Sequence, residues 1–287
     1  MLVLGHELDD ITTYAYNLRI NGDVVIVSED PIVENRPIYY SEWYRVNPLE
    51  TVRGLLEGLR RRGVHRRIEE WDKLVAGFLE EWRSLLKEHE SRSYRGRANP
   101  AKFFTRLDKV LPRERIVAAG QGTHILYAYN YLRVFKPRGF LAATNLGAMG
   151  YALPAAMAAK LAHPDHEVVA VVGDGELMMV VQDLETIARE GIAVKIIVVN
   201  DYSYRVLLLR QKIQKQGRII GTRYTNPDFV KLAESFGIRA FRVDNDNYPD
   251  TLIKEVVETD EPVLVDLVIS EEDLPPMNLD YTLRMSS

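Results

Sequence analysis

The sequence predicts an α/β fold, a parallel sheet flanked by helices. Three observations carry this reading. Short β-branched apolar runs recur along the chain, stretches of helical spacing separate them, and two of the runs stop at turns built from glycine, aspartate and asparagine. Runs that are apolar at every position belong to strands buried on both faces, which is where a parallel sheet places them.

The first apolar runs lie at residues 2–4 and 24–27, and residues 1–65 read as β-α-β-α, too little to close a sheet of useful size. A strand opening at Leu2 is expected to need neighbours from elsewhere. Ile68, Trp71, Leu74, Val75, Phe78, Leu79, Trp82, Leu85 and Leu86 follow at three-and-four spacing, the stripe of a core-packed amphipathic helix. Residues 87–100, rich in charge, Ser, Gly and Asn, read as a linker. Beyond them the alternation becomes regular, with strands expected at 116–118, 167–172, 194–199 and 263–269 and helices at 151–161, 178–189, 227–236 and 248–257. The expected division is 1–65, a helical linker at 66–98, and a larger domain at 99–287.

Composition narrows the function. At 287 residues the chain has room for about two domains, and its 46% hydrophobic content is that of a globular protein. Lysine and arginine total 37 against 41 acids, a net charge of −4, which excludes a protein that coats nucleic acid and leaves room for one small anionic ligand. There is no cysteine, so thiol catalysis and Cys-ligated zinc are excluded. No apolar run approaches about 18 residues and no basic segment precedes the first one, so a cytoplasmic protein without membrane contact is expected.

The chemistry concentrates at two strand ends. Val168 to Val172 run into Gly173-Asp174-Gly175, followed by Glu176 and a helical stretch. Such a turn offers free backbone N–H groups and a positive helix end to a phosphate. Asp174 would repel that phosphate unless a divalent cation lay between them. A second strand ends at Asn200-Asp201, and neighbouring parallel strands present their C-terminal ends at one edge. Asp174, Asp201 and a loop carbonyl near Ser203 are therefore candidate oxygen ligands for magnesium, with water and phosphate filling the octahedron. Two plainer readings stand beside this one: a Gly-Asp-Gly turn that closes a strand for steric reasons, and Asp201 as the cap of a helix over residues 204–211.

Together these motifs resemble the signature of thiamine-diphosphate-dependent enzymes of the acetolactate synthase/pyruvate oxidase group. Other segments agree: the run from Asn145-Leu146-Gly147-Ala148-Met149-Gly150 to Ala156, Gly122-Thr123-His124 with Lys136-Pro137-Arg138-Gly139-Phe140 downstream, Asn226-Pro227-Asp228-Phe229, and Glu261-Pro262-Val263 through Asp266. The resemblance implies a thiamine-diphosphate-binding domain, with Asp174, Asp201 and the Ser203 carbonyl holding Mg2+. It implies that Gln121, Gly122, Thr123 and His124, with Gly175 and Glu176, hold the diphosphate. Gly147, Ala148 and Met149 would grip the aminopyrimidine, the Met149 side chain wedging the cofactor into a bent form, and Met179 and Tyr204 would complete the cofactor site. Gap-filling core packing is the plainer role for both methionines, and a solvent-facing loop position is the plainer one for His124.

Two departures from the group's pattern stand out. The group more often carries Asn at the position of Asp201. Acetolactate synthases carry methionine where Val206 stands and tryptophan where Arg210 stands, positions that shape the second-substrate site. Arg210 reads equally as a cation for a carboxylate or phosphate and as a surface arginine.

Residues 1–62 resemble, less specifically, the latter half of the group's middle, Rossmann-like domain, which holds FAD in some members. No flavin site is assigned, because Asp9 and Asp10 also read as helix caps. Arg60–Arg62 and Arg66–Arg67 read as a solvated helix end.

The resemblance implies a subunit of a 2-oxo-acid-metabolising enzyme, an acetolactate-synthase-like carboligase. The alternatives are a decarboxylase, oxidase or 2-hydroxyacyl-CoA lyase subunit, or an inactive cofactor-binding remnant. It further implies a hetero-oligomer, in which a separate polypeptide carries the pyrimidine-binding domain and supplies the activating glutamate. No catalytic residue is therefore expected in this chain.

Overall fold

A computed structural model describes residues 1–6, 8, 12–13, 16–35, 37–64, 68–144 and 146–276. The chain divides into two compact units, one within residues 1–79 and one within 80–277. Among the described residues, no helix is long and apolar enough to cross a membrane.

The first unit holds a three-stranded parallel sheet, ordered β1 (Leu2–Leu4), β2 (Val25–Val27), β3 (Glu42–Tyr44). Val3, Leu8, Val24, Ile26 and Val33 form its small core. α1 (Pro48–Arg61) begins with Asn47 accepting hydrogen bonds from Leu49 N and Glu50 N, and a proline follows that cap, where no N–H is needed. Arg60–Arg62 end this helix in solvent, as expected, whereas Asp9, Asp10, Arg66 and Arg67 lie outside the described residues. A parallel sheet with a helix is the arrangement that the resemblance to a Rossmann-like domain implied.

α2 (Glu69–Ser91) has the expected helical period, but of its apolar stripe only Leu86 packs against a core. Trp71 and Phe78 are each 62% exposed, and His89 is its one buried residue. Periodicity shows that a face wants burial; it does not show which surface covers it.

The second unit is a six-stranded, all-parallel sheet: β4 (Arg115–Ala119), β5 (Phe140–Ala142), β6 (Glu167–Gly173), β7 (Val194–Asn200), β8 (Arg239–Val243) and β9 (Val263–Val268), in the order β5-β4-β6-β7-β9-β8. The central strands β4, β6, β7 and β9 are the four read from the sequence. β3, β5 and β8 were not read as strands, and all three lie at sheet edges. β8, Arg-Ala-Phe-Arg-Val, is interrupted by two arginines and only Val243 is buried, while β5 and β3 are three residues long, too short to stand out as apolar runs.

Helices cover both faces. α3 (Pro100–Val110), α4 (His124–Tyr131) and α10 (Asp250–Glu258) pack with Val169, Val171, Val199 and Val265. α5 (Ala152–Ala162), α7 (Asp183–Glu190) and α9 (Phe229–Ser235) pack with Val168, Ala170, Val172 and Ile196. Successive residues of β6 thus feed opposite cores, as a strand's period of two requires. α6 (Asp174–Leu177) and α8 (Arg205–Gln214) lie at the C-terminal ends of β6 and β7.

Two expectations are corrected here. The helix expected at 178–189 is broken: α6 ends at Leu177, turns occupy residues 178–182, and α7 starts at Asp183. Met178 and Met179 are consequently exposed and not part of the α7 stripe. The segment 87–100 is also more ordered than a linker. It contains the end of α2, a parallel bridge from Ala98 to Ile269, and a fully buried Asn99. Asn99 caps α3 by accepting from Lys102 N, and its amide donates to the carbonyls of His89, Glu90 and Arg92, which fastens the end of α2 to the start of α3.

Candidate functional site

β4 has β5 on one side and β6 on the other, so the chain leaves β4 in one direction and returns on the opposite side. That reversal opens a crevice at the C-terminal ends of β4 and β6, where ligands bind in open parallel sheets. A cavity of about 300 Å³ lies there. It collects residues from five places: Gln121 to His124 after β4, Gly147 and Met149 before α5, Gly173 to Glu176 after β6, Val199, Asp201 and Ser203 to Leu207 at and beyond the end of β7, and Tyr224 after α8.

Asp174 is 3% exposed and held by four donors. Gly175 N and Tyr224 OH donate to its Oδ1, each at 2.9 Å; Tyr202 N and Asn226 Nδ2 donate to Oδ2 at 2.8 and 2.7 Å. Burial, with the negative charge of Asp201 nearby, pushes its carboxyl up to about 6 against the pull of those donors. Asp201 is also buried, and burial raises its pKa while Arg205 opposes the rise. Its Oδ1 accepts from Ser203 Oγ at 2.6 Å, and its Oδ2 lies 2.7 Å from Arg205 Nη2. Asp201 is not the cap of α8; Tyr204 holds that position, without a side-chain cap bond.

The Gly-rich turns make room for side chains. A Cβ on Gly122 or Gly173 would lie 2.8 Å from the His124 ring, and one on Gly175 would meet Tyr224 OH at 2.6 Å and Tyr204 Cε1 at 2.7 Å. His124 therefore sits between the β4 and β6 turns and does not face solvent. Its Nε2 is 2.8 Å from Glu176 Oε2, yet neither atom makes an aligned hydrogen bond. Glu176 Oε1 accepts from Gly150 N at 3.0 Å and from Ala152 N at 3.5 Å, so this buried carboxylate ties the β6 turn to the 147–152 segment. Gln121 Nε2 donates to Ala143 O at 3.1 Å, a second tie across the crevice.

Most of the expected site residues meet in the one cavity. Ala148, Met179 and Arg210 are not among those lining it, and Asn145 lies outside the described residues. Sequence reasoning missed Arg205, Leu207 and Tyr224, which line the cavity, and Asn226 as an Asp174 partner. Tyr224 and Asn226 follow a turn after α8 and reach the site only through tertiary packing. Arg205, four residues from Asp201 in a buried segment, was the one with a visible signal.

The residues suit a cation carried by an anion. Two buried carboxylates beside a loop are hard oxygen donors, while Arg205 Nε is a buried donor without a hydrogen-bond partner, on a residue lining the same cavity. Among the described residues, no three His, Asp or Glu side chains are grouped to hold a metal by themselves. A cation here would complete its coordination from the ligand.

Comparison with known proteins agrees with this geometry. Residues 120–267 match the family described as "Thiamine pyrophosphate enzyme, C-terminal TPP binding domain". The chain is 30% identical over 287 residues to the acetolactate synthase large subunit of Corynebacterium glutamicum, covering 95% of this chain and 44% of that protein. It is 34% identical over 163 residues to the probable acetolactate synthase large subunit of Methanococcus aeolicus, covering 56% and 27% respectively. It is 32% identical over 176 residues to the mitochondrial acetolactate synthase catalytic subunit of Saccharomyces cerevisiae, covering 60% and 26%. The chain thus spans less than half the length of these relatives. The cavity falls within the matched region, and the chain belongs to the thiamine pyrophosphate enzymes, whose C-terminal TPP-binding domain it carries.

Proposed function

We propose that the cavity at the ends of β4, β6 and β7 binds thiamine diphosphate with a magnesium ion, and that the chain is part of an acetolactate-synthase-like enzyme acting on 2-oxo acids. One observation carries the reading: Asp174 and Asp201, buried at adjacent strand ends, line one cavity with the 121–124 loop and the Gly147–Met149 segment. Asp174, Asp201 and the Ser203 carbonyl would hold the cation. The 121–124 loop, with Gly175, would hold the diphosphate, and Tyr204 would flank the site.

The cofactor supplies a nucleophilic carbon and an electron sink for cleaving or forming a bond next to a carbonyl. This chain's residues bind it, orient it and exclude water. Gly147 and Met149 would set the tilt of the pyrimidine against the diphosphate. Val206 and Leu207 give the lining an apolar stretch suited to a small acyl group.

The relatives' names are those of acetolactate synthase large or catalytic subunits, which supports an assembly of more than one chain. We place the pyrimidine-binding domain and the activating glutamate on a separate polypeptide in a hetero-oligomer. Exposed Leu146, Met178 and Leu207 supply apolar surface for such a contact. Within the chain, residues 99–287 are the cofactor-binding domain, 66–98 a connecting helical segment and 1–65 part of a middle domain.

The test is calorimetric titration of thiamine diphosphate into the full chain. Binding is expected with Mg2+, and neither in EDTA nor in Asp174→Ala. At about 5 Å and an effective dielectric of about 20, each carboxylate–phosphate charge pair repels by roughly 3 kcal/mol, enough to prevent micromolar binding without the metal. Unchanged affinity in EDTA would overturn the reading.

A further inference from the structure

Arg205 opens α8, is 4% exposed, and lines the cavity. Its guanidinium is held from two sides. Nη2 lies 2.7 Å from Asp201 Oδ2 and donates to Ser270 O at 2.9 Å, and Nη1 donates to Asp273 O at 2.6 Å. The two carbonyls belong to the turn after β9, so the position of this charge is fixed by main chain as well as by Asp201. Among the described residues, Asp174 has no such counter-ion. Its four donors, Gly175 N, Tyr202 N, Tyr224 OH and Asn226 Nδ2, are all neutral. One of the two cavity carboxylates is therefore cancelled and the other is not.

That asymmetry decides what the cavity attracts. A bare divalent cation meets the net charge of a single carboxylate, and the Arg205 charge beside Asp201 opposes its entry. A cation already bound to a diphosphate is a different visitor. It brings its own oxygen ligands, and its phosphate charge is drawn to the buried Arg205 guanidinium. The geometry points to Arg205 as a positioning residue that couples the two ligands: by cancelling Asp201 it keeps a lone cation out and admits the cation–diphosphate complex as a unit. This rests on the cavity being a cation–diphosphate site.

The experiment is a charge cycle on the full chain with R205M, D201N and D201N/R205M. The probes are Mn2+ alone, inorganic pyrophosphate alone, and the two together, read by calorimetry, with circular dichroism to verify folding. R205M should bind Mn2+ alone about tenfold or more tighter than the unmodified chain, because two uncancelled carboxylates then face it. It should also bind manganese pyrophosphate more weakly. The double variant should return Mn2+ affinity to within about threefold of the starting value, the charge having been balanced again. A purely structural arginine predicts the reverse sign, with weaker Mn2+ binding in R205M and no recovery in the double variant, and that result would overturn the inference. If R205M does not fold, D201N decides. Its cavity gains a net positive charge relative to the unmodified chain, so Mn2+ binding should fall and metal-free pyrophosphate binding should rise about tenfold. No change in either overturns the inference. Failure of the unmodified chain to bind manganese pyrophosphate would instead sink the cation–diphosphate reading itself.

Discussion

Replacing Gly120 with alanine tests whether the buried Glu176 carboxylate holds the crevice together. Gly120 does not have a positive φ, so alanine is compatible with its backbone. The obstacle is space. A Cβ there would stand 1.6 Å from Glu176 Oε2 and 2.1 Å from its Cδ, against an ordinary contact of about 3.5 Å. The glutamate head must therefore move by about 1.5–2 Å, away from Gly150 N at 3.0 Å and His124 Nε2 at 2.8 Å. Losing a charge-assisted bond and leaving Gly150 N without its acceptor costs about 2–4 kcal/mol, offset by about 0.5–1 kcal/mol because alanine restricts the unfolded chain. A net loss of about 2–3 kcal/mol corresponds to a fall in Tm of about 5–10 °C. Thermal and denaturant unfolding give the stability, and calorimetry should show thiamine diphosphate binding at least about tenfold weaker, since Gly150 adjoins Met149. The double variant G120A/E176A has no clash and should be no less stable than E176A alone. G120A indistinguishable from the unmodified chain, or a double variant with the sum of both losses, would refute the reasoning.

Three further outcomes are expected. Met149→Ala should lower cofactor affinity less than it lowers turnover in the assembled enzyme, because metal and diphosphate contacts lie elsewhere in the cavity; equal losses would remove the wedge role. Asp273→Asn should cost about 3 kcal/mol in denaturant unfolding, since Asp273 is fully buried with His89 Nε2 at 3.0 Å and Tyr127 OH also bonded to it; a loss under about 1 kcal/mol would show the network to be dispensable. Arg223 and Lys212 hold the Glu271 carboxyl down at about 2. This ion pair should contribute about 1–2 kcal/mol above pH 4.5, after discounting for the half-exposed arginine, and lose it as pH falls toward 2. Glu271→Gln should remove that slope from a pH series of unfolding free energies, and an unchanged slope would place its origin elsewhere.

What was legible from the sequence was whatever is written in contiguous residues. β6 and β7 are apolar at most positions because both their faces are covered, and an acid follows each strand's last residue, so the strands and the two carboxylates could be read together. Parallel neighbours end at one edge, so the meeting of Asp174 and Asp201 followed from topology without coordinates. The Gly147–Met149 segment and the 121–124 loop were legible through the resemblance, and they do line the same cavity.

Tertiary structure decided what depends on distant partners. The break between α6 and α7 was invisible because an apolar stripe continues through Met178 and Met179 whether or not the backbone does. The apolar face of α2 announces that it wants cover without naming the surface. Glu176 carried no sequence sign that its carboxylate would reach the N–H groups of Gly150 and Ala152, and nothing near Asp174 in the chain foretold Tyr224 and Asn226. Arg205 is the sharpest case. The sequence reading passed it over, and its four-residue spacing from Asp201 does not place it: only the carbonyls of Ser270 and Asp273, far along the chain, fix the guanidinium where it cancels one carboxylate and leaves the other charged. A hydrogen bond between residues distant in sequence depends on where the fold brings the backbone, and no local pattern records that position.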